Sequence, residues 1–308
     1  MSVSVLRTAE GWWVRTPEGA ARVDTAATTT AELLADRAAV RAASSGQSVP
    51  VEELTLLSPV TAPCRVVAQM TNYASHVKDS GMDPATVPLT FFRKTSGSIS
   101  GPFDDVVKPE HVRFLDYEIE IGLVVGEAVP VGTAVDERVV AALVITNDIS
   151  ARDLQLPKTQ FYEAKSYPTF TPTGPELVLL EDGDFDRFAD LRLTLRVNGE
   201  IRQDMTVGDD IIYRPLQALR ALSRFQRLDA GDLVLTGTPG GTALRAPAKP
   251  IEIIGSLLPP AVKWNSFFKT QAKNRKYLQD GDVVELTAAT PDRALDLGTQ
   301  RTRVRYAR

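Results

Sequence analysis

Strand-like runs follow one another with few helices between them, and this order limits the possible fold more than any other feature of the chain. "EIEIGLVVG", "VVAALVITNDIS", "LRLTLRV" and "EIRQDM" on either side of the Asn198-Gly199 turn, "GDLVLTGTP" and "GDVVELTAAT" are short, apolar or alternating, and bounded by turn residues. Only "IIYRPLQALRALSRF" carries a clear helical period in this half. Alternating strands and helices would indicate a parallel sheet; this order predicts a β-rich α+β fold built on mixed sheets. At 308 residues the chain is long enough for one large core with a small appendage.

Residues 1–58 read as that appendage, a small separate α/β module. It has strand candidates "SVSVLRT" and "GWWVRT" around a Gly turn, then the Ala-rich helical stretch "TTTAELLADRAAVRAASSG". A Pro-punctuated connector leads into "CRVVAQM", the expected first core strand of a main domain over 59–308. One stretch of that domain is unusual. Between Thr242 and Leu278 lie seven Lys or Arg against Glu252 alone, a formal +6 in a chain whose net charge is −4. This basic insertion, about 243–277, reads either as a solvated or oligomer-facing segment or as a lid that attracts an anionic substrate.

Composition narrows the partners. No apolar run approaches the roughly 18 residues of a membrane span, and the N-terminus has no basic segment leading into an apolar one, so a cytoplasmic chain is expected. The acidic balance offers no general attraction for nucleic acid. Cys64 is the sole cysteine and His76 and His111 are the only histidines. Neither a thiolate cluster nor a polyhistidine site can be built within one chain, so any metal should be held by oxygen.

Within "FLDYEIEIGLVVGE", Asp116, Glu118 and Glu120 alternate with Tyr117, Ile119 and Ile121, so the acids share one strand face. Asp148, in "ITNDISARDLQ", ends the next apolar strand. Glu118, Glu120 and Asp148 can together occupy one face of an octahedral Mg²⁺ or Mn²⁺. The same pattern also occurs on half-exposed strands whose acids pair with Arg or Lys. In "MTNYASHVKDSG", a helical turn after Asn72 would place His76 and Asp79 at i, i+3, where the carboxylate can orient an imidazole acting as general base; a surface histidine in a polar loop is the other reading. Lys165 can neutralise a developing oxyanion, and the turn bearing Thr236 and Thr238 can bind a carboxylate.

Taken in order, "NYASH", "FFRK", "DYEIEIGLVVG", "NDISARDLQ", "AKSYPTFTPTGP", "VNGEIRQ" and "GDLVLTGTPGG" resemble the fumarylacetoacetate hydrolase family over about residues 64 to 242, and "LQDGDVVEL" resumes the match at 278. The resemblance implies a mixed β-sheet roll, a homodimer, and one Mg²⁺ or Mn²⁺ per chain on Glu118, Glu120 and Asp148. It places His76 and Asp79 on a short lid helix that activates water, has Arg152, Gln155 and Lys165 line the pocket and makes Thr238 substrate-binding; with it, the expected catalytic residues are His76, Asp79 and Lys165, and the expected substrate-binding residues Tyr73, Lys94, Arg152, Gln155 and Thr238. Three departures stand out: Asp79 replaces the family's usual Glu, Thr71 stands where many members have Gly, and Thr95 stands where many have Pro. The basic insertion replaces a much shorter link.

The expected function is therefore metal-dependent hydrolysis of a C–C bond in an anionic 1,3-dicarbonyl substrate such as an acylpyruvate, with water activated by His76. The alternative is tautomerisation, isomerisation or decarboxylation of a 2-oxo or 2-hydroxydienoic acid through an enolate at the same site. A non-catalytic member that keeps only the fold would be expected to have lost part of the acidic triad or the base, and all of those positions are filled.

Overall fold

The computed structural model describes residues 2–159, 161–247, 251, 255 and 257–307. Ten strands form one sheet in the order Ser48–Val49, Gly19–Arg22, Gly11–Thr16, Val3–Thr8, Leu177–Leu179, Val140–Asn147, Ile119–Val125, Leu233–Leu235, Val66–Gln69, Phe91–Lys94. Its neighbours pair antiparallel except Leu233–Leu235 with Val66–Gln69. A five-stranded sheet, Glu200–Thr206, Arg192–Val197, Val283–Ala289, Asp296–Tyr306 and Val106–Lys108, packs against it. The fold is β-rich α+β, as the run of strand signals predicts. No helix among the described residues is long and apolar enough to cross a membrane.

Alternation builds two cores from one strand. Ile119, Ile121, Leu123 and Val125 face the second sheet, where they meet Leu143, Ile145, Leu193, Leu195 and Leu286. Val124, with Ala142 and Val144, faces the other way and is covered by Leu33, Leu34 and Val40. Those covering residues belong to two short helices, Thr30–Ala35 and Arg37–Ala43, where the sequence reads as one helical stretch. Asp36 divides them because its carboxylate caps the second helix at Ala39 N, just as Thr29 and Glu32 box the first. Strand Val3–Thr8 pairs directly with Leu177–Leu179, so the first residues extend the main sheet.

The acidic strand is interrupted. Leu115–Asp116 pairs with Ser150–Ala151 in a separate ladder, and the long strand starts only at Ile119. At the break the Glu118 N–H donates to the Asn147 side-chain oxygen at 3.0 Å, and Asp148 N donates to Glu118 O at 2.8 Å. In the basic insertion, helix Pro260–Gln271 docks through Phe268, whose ring stacks on Phe114 and Trp264. Lys269, Lys273 and Arg275 stay exposed, while Lys249 and Glu252 lie outside the described residues.

Candidate metal centre and active site

The register of two strands assembles the acids. Ile119 lies opposite Asn147 and Glu120 opposite Thr146, which brings Asp148 beside Glu118 where both strands end. Glu118, Glu120 and Asp148 are all buried, and one oxygen from each lies within 4.8 Å of the others. Buried carboxylates this close repel unless compensated. Compensation comes from three buried cations, and it is uneven. Arg152 donates to Glu118 through Nη2, and Lys165 Nζ donates to Glu118 Oε2 at 2.5 Å and to Asp148 Oδ2 at 2.7 Å. Lys94 Nζ donates to Asp148 Oδ1 and, at 2.9 Å, to the Phe170 carbonyl.

Glu120 touches none of these cations. Among the described residues its Oε2 accepts only the backbone N–H of Gly237, at 2.7 Å. Burial, then Asp148 and Glu118, push its pKa well above the usual carboxylate range. For Glu118 burial also works upward, but Arg152 and Lys165 outweigh it and hold the group low. Burial opposes the Lys165 charge as well, yet Asp148 and Glu118 leave its pKa raised. Three buried carboxylates with negative charge to spare and only oxygen donors fit a hard divalent cation.

Asp116 is the acid that the ligand triad does not need, and its contacts show its work. It accepts from Arg152 Nε at 2.9 Å, Ala243 N at 2.8 Å and Leu244 N at 3.0 Å. Arg152 is thus fixed between Asp116, Glu118 and the Gln155 side-chain oxygen, 2.8 Å from Nη1. The same carboxylate anchors the start of the basic insertion.

His76 sits buried on helix Ala74–Asp79. Burial lowers its pKa against the pull of Glu118, so the ring is neutral at neutral pH, and its Nδ1 has no partner. The pairing with Asp79 expected from i, i+3 spacing does not form. Asp79 Oδ2 accepts the Gly241 N–H at 3.0 Å, and Arg245 Nη1 lies 3.5 Å from Oδ1. Asp79 is the last residue of a six-residue helix, and its short side chain reaches the neighbouring turn instead of the ring. Tyr73 is fully buried; burial and the Glu120 charge push its pKa up.

Thr71 takes φ +47°, a left-handed conformation that is costly for a β-branched residue. Gly, which has no Cβ, would take this conformation at little cost. The strained turn is held by Asn72, whose amide donates to Tyr213 O at 3.0 Å and Thr236 O at 2.8 Å and whose oxygen accepts Tyr213 N at 2.8 Å. Two further residues lie outside the sequence reading. Gln203, from the five-stranded sheet, is buried and donates to Thr238 Oγ1 at 2.8 Å and Pro239 O at 2.7 Å, while its oxygen accepts Ile119 N at 3.0 Å. Asp210 accepts from Ser75 N at 2.9 Å and from the Ser75 hydroxyl. No local pattern marks either; each acts across a long sequence separation.

The fold is a β-rich roll with three buried carboxylates at the ends of paired strands, near Lys94, Arg152, Lys165 and His76, and the carboxylates could hold a divalent metal. The family model described as fumarylacetoacetate (FAA) hydrolase C-terminal matches residues 65–305, and the chain belongs to this family. It is 33% identical over 202 residues to a mitochondrial oxaloacetate tautomerase of Bos taurus; the match covers 64% of this chain and 62% of the bovine protein. The chain thus spans less than two thirds of that relative's length. A solved structure of a probable 2-hydroxyhepta-2,4-diene-1,7-dioate isomerase from Mycobacterium abscessus superposes with a TM-score of 0.74 at 30% identity, covering 100% of both chains. A fumarylacetoacetate hydrolase from Exiguobacterium antarcticum gives 0.69 at 26% identity, again over 100% of both chains.

Proposed function

We propose that the chain is a keto-enol tautomerase of a small 2-oxo acid of the oxaloacetate type, dependent on one Mg²⁺ or Mn²⁺ per chain. The observation that carries this reading is the engagement of Asp79 with Gly241 and Arg245, which leaves His76, already kept neutral by burial, without Asp79 as an orienting carboxylate. Hydrolysis by His76-activated water, expected from the sequence, relies on that pairing and gives way to enolate chemistry. The names of the bovine tautomerase and the mycobacterial isomerase support the same choice.

A divalent cation held by Glu118, Glu120 and Asp148 would supply Lewis acidity toward the substrate's oxygens. In the keto-to-enol direction His76 takes the proton from the carbon beside the carbonyl while the enolate oxygen gains one from solvent; in reverse that oxygen loses its proton to solvent and His76 protonates the carbon, a task for an imidazole with a free ring nitrogen. Lys165, kept protonated by its two carboxylates, stabilises charge developing on the enolate oxygen. Thr238, Gln155 and Arg152 orient the acid end of the substrate, with Tyr73 and Lys94 closing the pocket beside the triad. The same reading takes the chain as a homodimer, the commonest closed assembly.

The test supplies the metal-loaded chain with the enol of oxaloacetate and follows enol absorbance, while parallel samples hold acylpyruvates and are analysed for released pyruvate. Accelerated loss of the enol, lowered about 100-fold or more by His76→Ala, with no pyruvate released, is the expected result. Acylpyruvate cleavage with enol conversion at the background rate would replace this reading with the hydrolytic one.

A further inference from the structure

Helix Ala74–Asp79 carries His76 yet has six residues and no side-chain cap at its N-terminus. A helix that short does not persist on its own. Its support comes from outside, and most of it comes from one short segment, residues 240–246. Near the start, Ser75 Oγ accepts the Gly240 N–H at 2.7 Å while Asp210 holds the Ser75 N–H and hydroxyl. At the end, Asp79 Oδ2 accepts the Gly241 N–H, Arg245 faces Oδ1, and the Asp79 carbonyl accepts Ala246 N at 3.0 Å.

The turn can come this close because it has no side chains to spare. A Cβ on Gly240 would lie 3.0 Å from Ser75 Cβ and 3.1 Å from Asp79 Oδ2; one on Gly241, at φ +106°, would lie 2.1 Å from Arg202 O. Gly240 and Gly241 directly follow Thr238 and Pro239, which Gln203 clamps. A single short segment therefore bears Thr238, grips both ends of the His76 helix, and opens into the basic insertion at Arg245.

We propose that Asp79 is a positioning residue that latches the His76 helix to the Gly240-Gly241 turn and to Arg245, so that His76 and Thr238 are set as one unit. The proposal rests on the tautomerase reading only for what His76 does once placed. It assigns the first residues of the basic insertion a direct part in closing the site.

Hydrogen exchange of the segments 74–81 and 238–246, with kcat, KM and the pH profile for enol conversion, tests the latch in Asp79→Ala, Asp79→Asn and Arg245→Ala. Asp79→Ala should raise exchange in both segments together and lower kcat about tenfold or more, with KM changed less. Asp79→Asn keeps an oxygen for the Gly241 N–H, so it should retain most of the protection and leave the pH profile in place. Arg245→Ala should loosen 242–246 more than 74–79. Unchanged exchange in Asp79→Ala overturns the latch. So does an Asp79→Asn variant as damaged as Asp79→Ala with a displaced pH limb, because that result makes Asp79 a partner of the imidazole. If the parent chain converts no enol, the proposed function fails while the exchange data still decide the latch.

Discussion

Two buried glutamates, Glu120 and Glu176, sit in different company. Glu176 precedes strand Leu177–Leu179, and its Oε1 accepts from Arg15 Nε at 2.5 Å, joining the second strand of the chain to the core. One acid meets one base there, and the base is half exposed. Around Glu120 four buried acids, Asp116, Glu118, Glu120 and Asp148, meet three buried bases, Lys94, Arg152 and Lys165. The surplus negative charge falls on Glu120, whose only hydrogen-bond partner among the described residues is an N–H. Both carboxyl groups have raised pKa values, chiefly through burial. The difference lies in what relieves them: an arginine two strands away makes a clasp at Glu176, whereas a crowd of acids with one charge left over could hold a divalent cation.

The comparison breaks first at Lys165. Lys165→Met removes the cation shared by Glu118 and Asp148, and leaving those charges buried should cost the metal-free protein about 3–5 kcal/mol by urea unfolding. A loss under about 1 kcal/mol would mean that the cluster is not electrostatically tight. At Glu176 the effect depends on pH. Burial, opposed by Arg15 and reinforced by Asp296, lifts its pKa from 4.5 to about 7. The folded state thus holds this proton more tightly than the unfolded chain. The stability it contributes is complete below about 4.5 and is lost as pH rises through about 7, a change on the order of 3 kcal/mol. Glu176→Gln should remove that slope from the difference between the two proteins, read as denaturation midpoints from pH 4.5 to 8; parallel curves would contradict it. Smallest is the exposed pair of Arg41 and Glu181. Arg41→Ala should shift stability by no more than about 0.5 kcal/mol.

Local alternation and the order of motifs were enough to read the strands, the β-rich class and the grouping of Glu118, Glu120 and Asp148. Side-chain period is a short-range property, and these acids are brought together by adjacent strands. The break at Tyr117 and Glu118 was hidden because alternation continues through it; only the Asn147 side chain, 29 residues away, replaces the missing ladder bond. Asp79 was misread for a related reason. Helical spacing described its own helix correctly, but its partner Gly241 lies 162 residues further on, and no local rule ranks that N–H above the imidazole. Gln203 was invisible in the same way, a hairpin residue by pattern and a clamp on Thr238 by tertiary contact.

The central claim is that Glu120 completes a divalent-cation site that its neighbours leave one charge short. Calorimetric titration of Mn²⁺ into metal-free parent and Glu120→Gln protein tests it directly. The account predicts one site per chain in the parent, affinity weakened at least about tenfold in the variant, and a metal-free variant no less stable than the parent, since the uncompensated charge has gone. Equal Mn²⁺ affinity in the two proteins, or no binding to the parent, would contradict it.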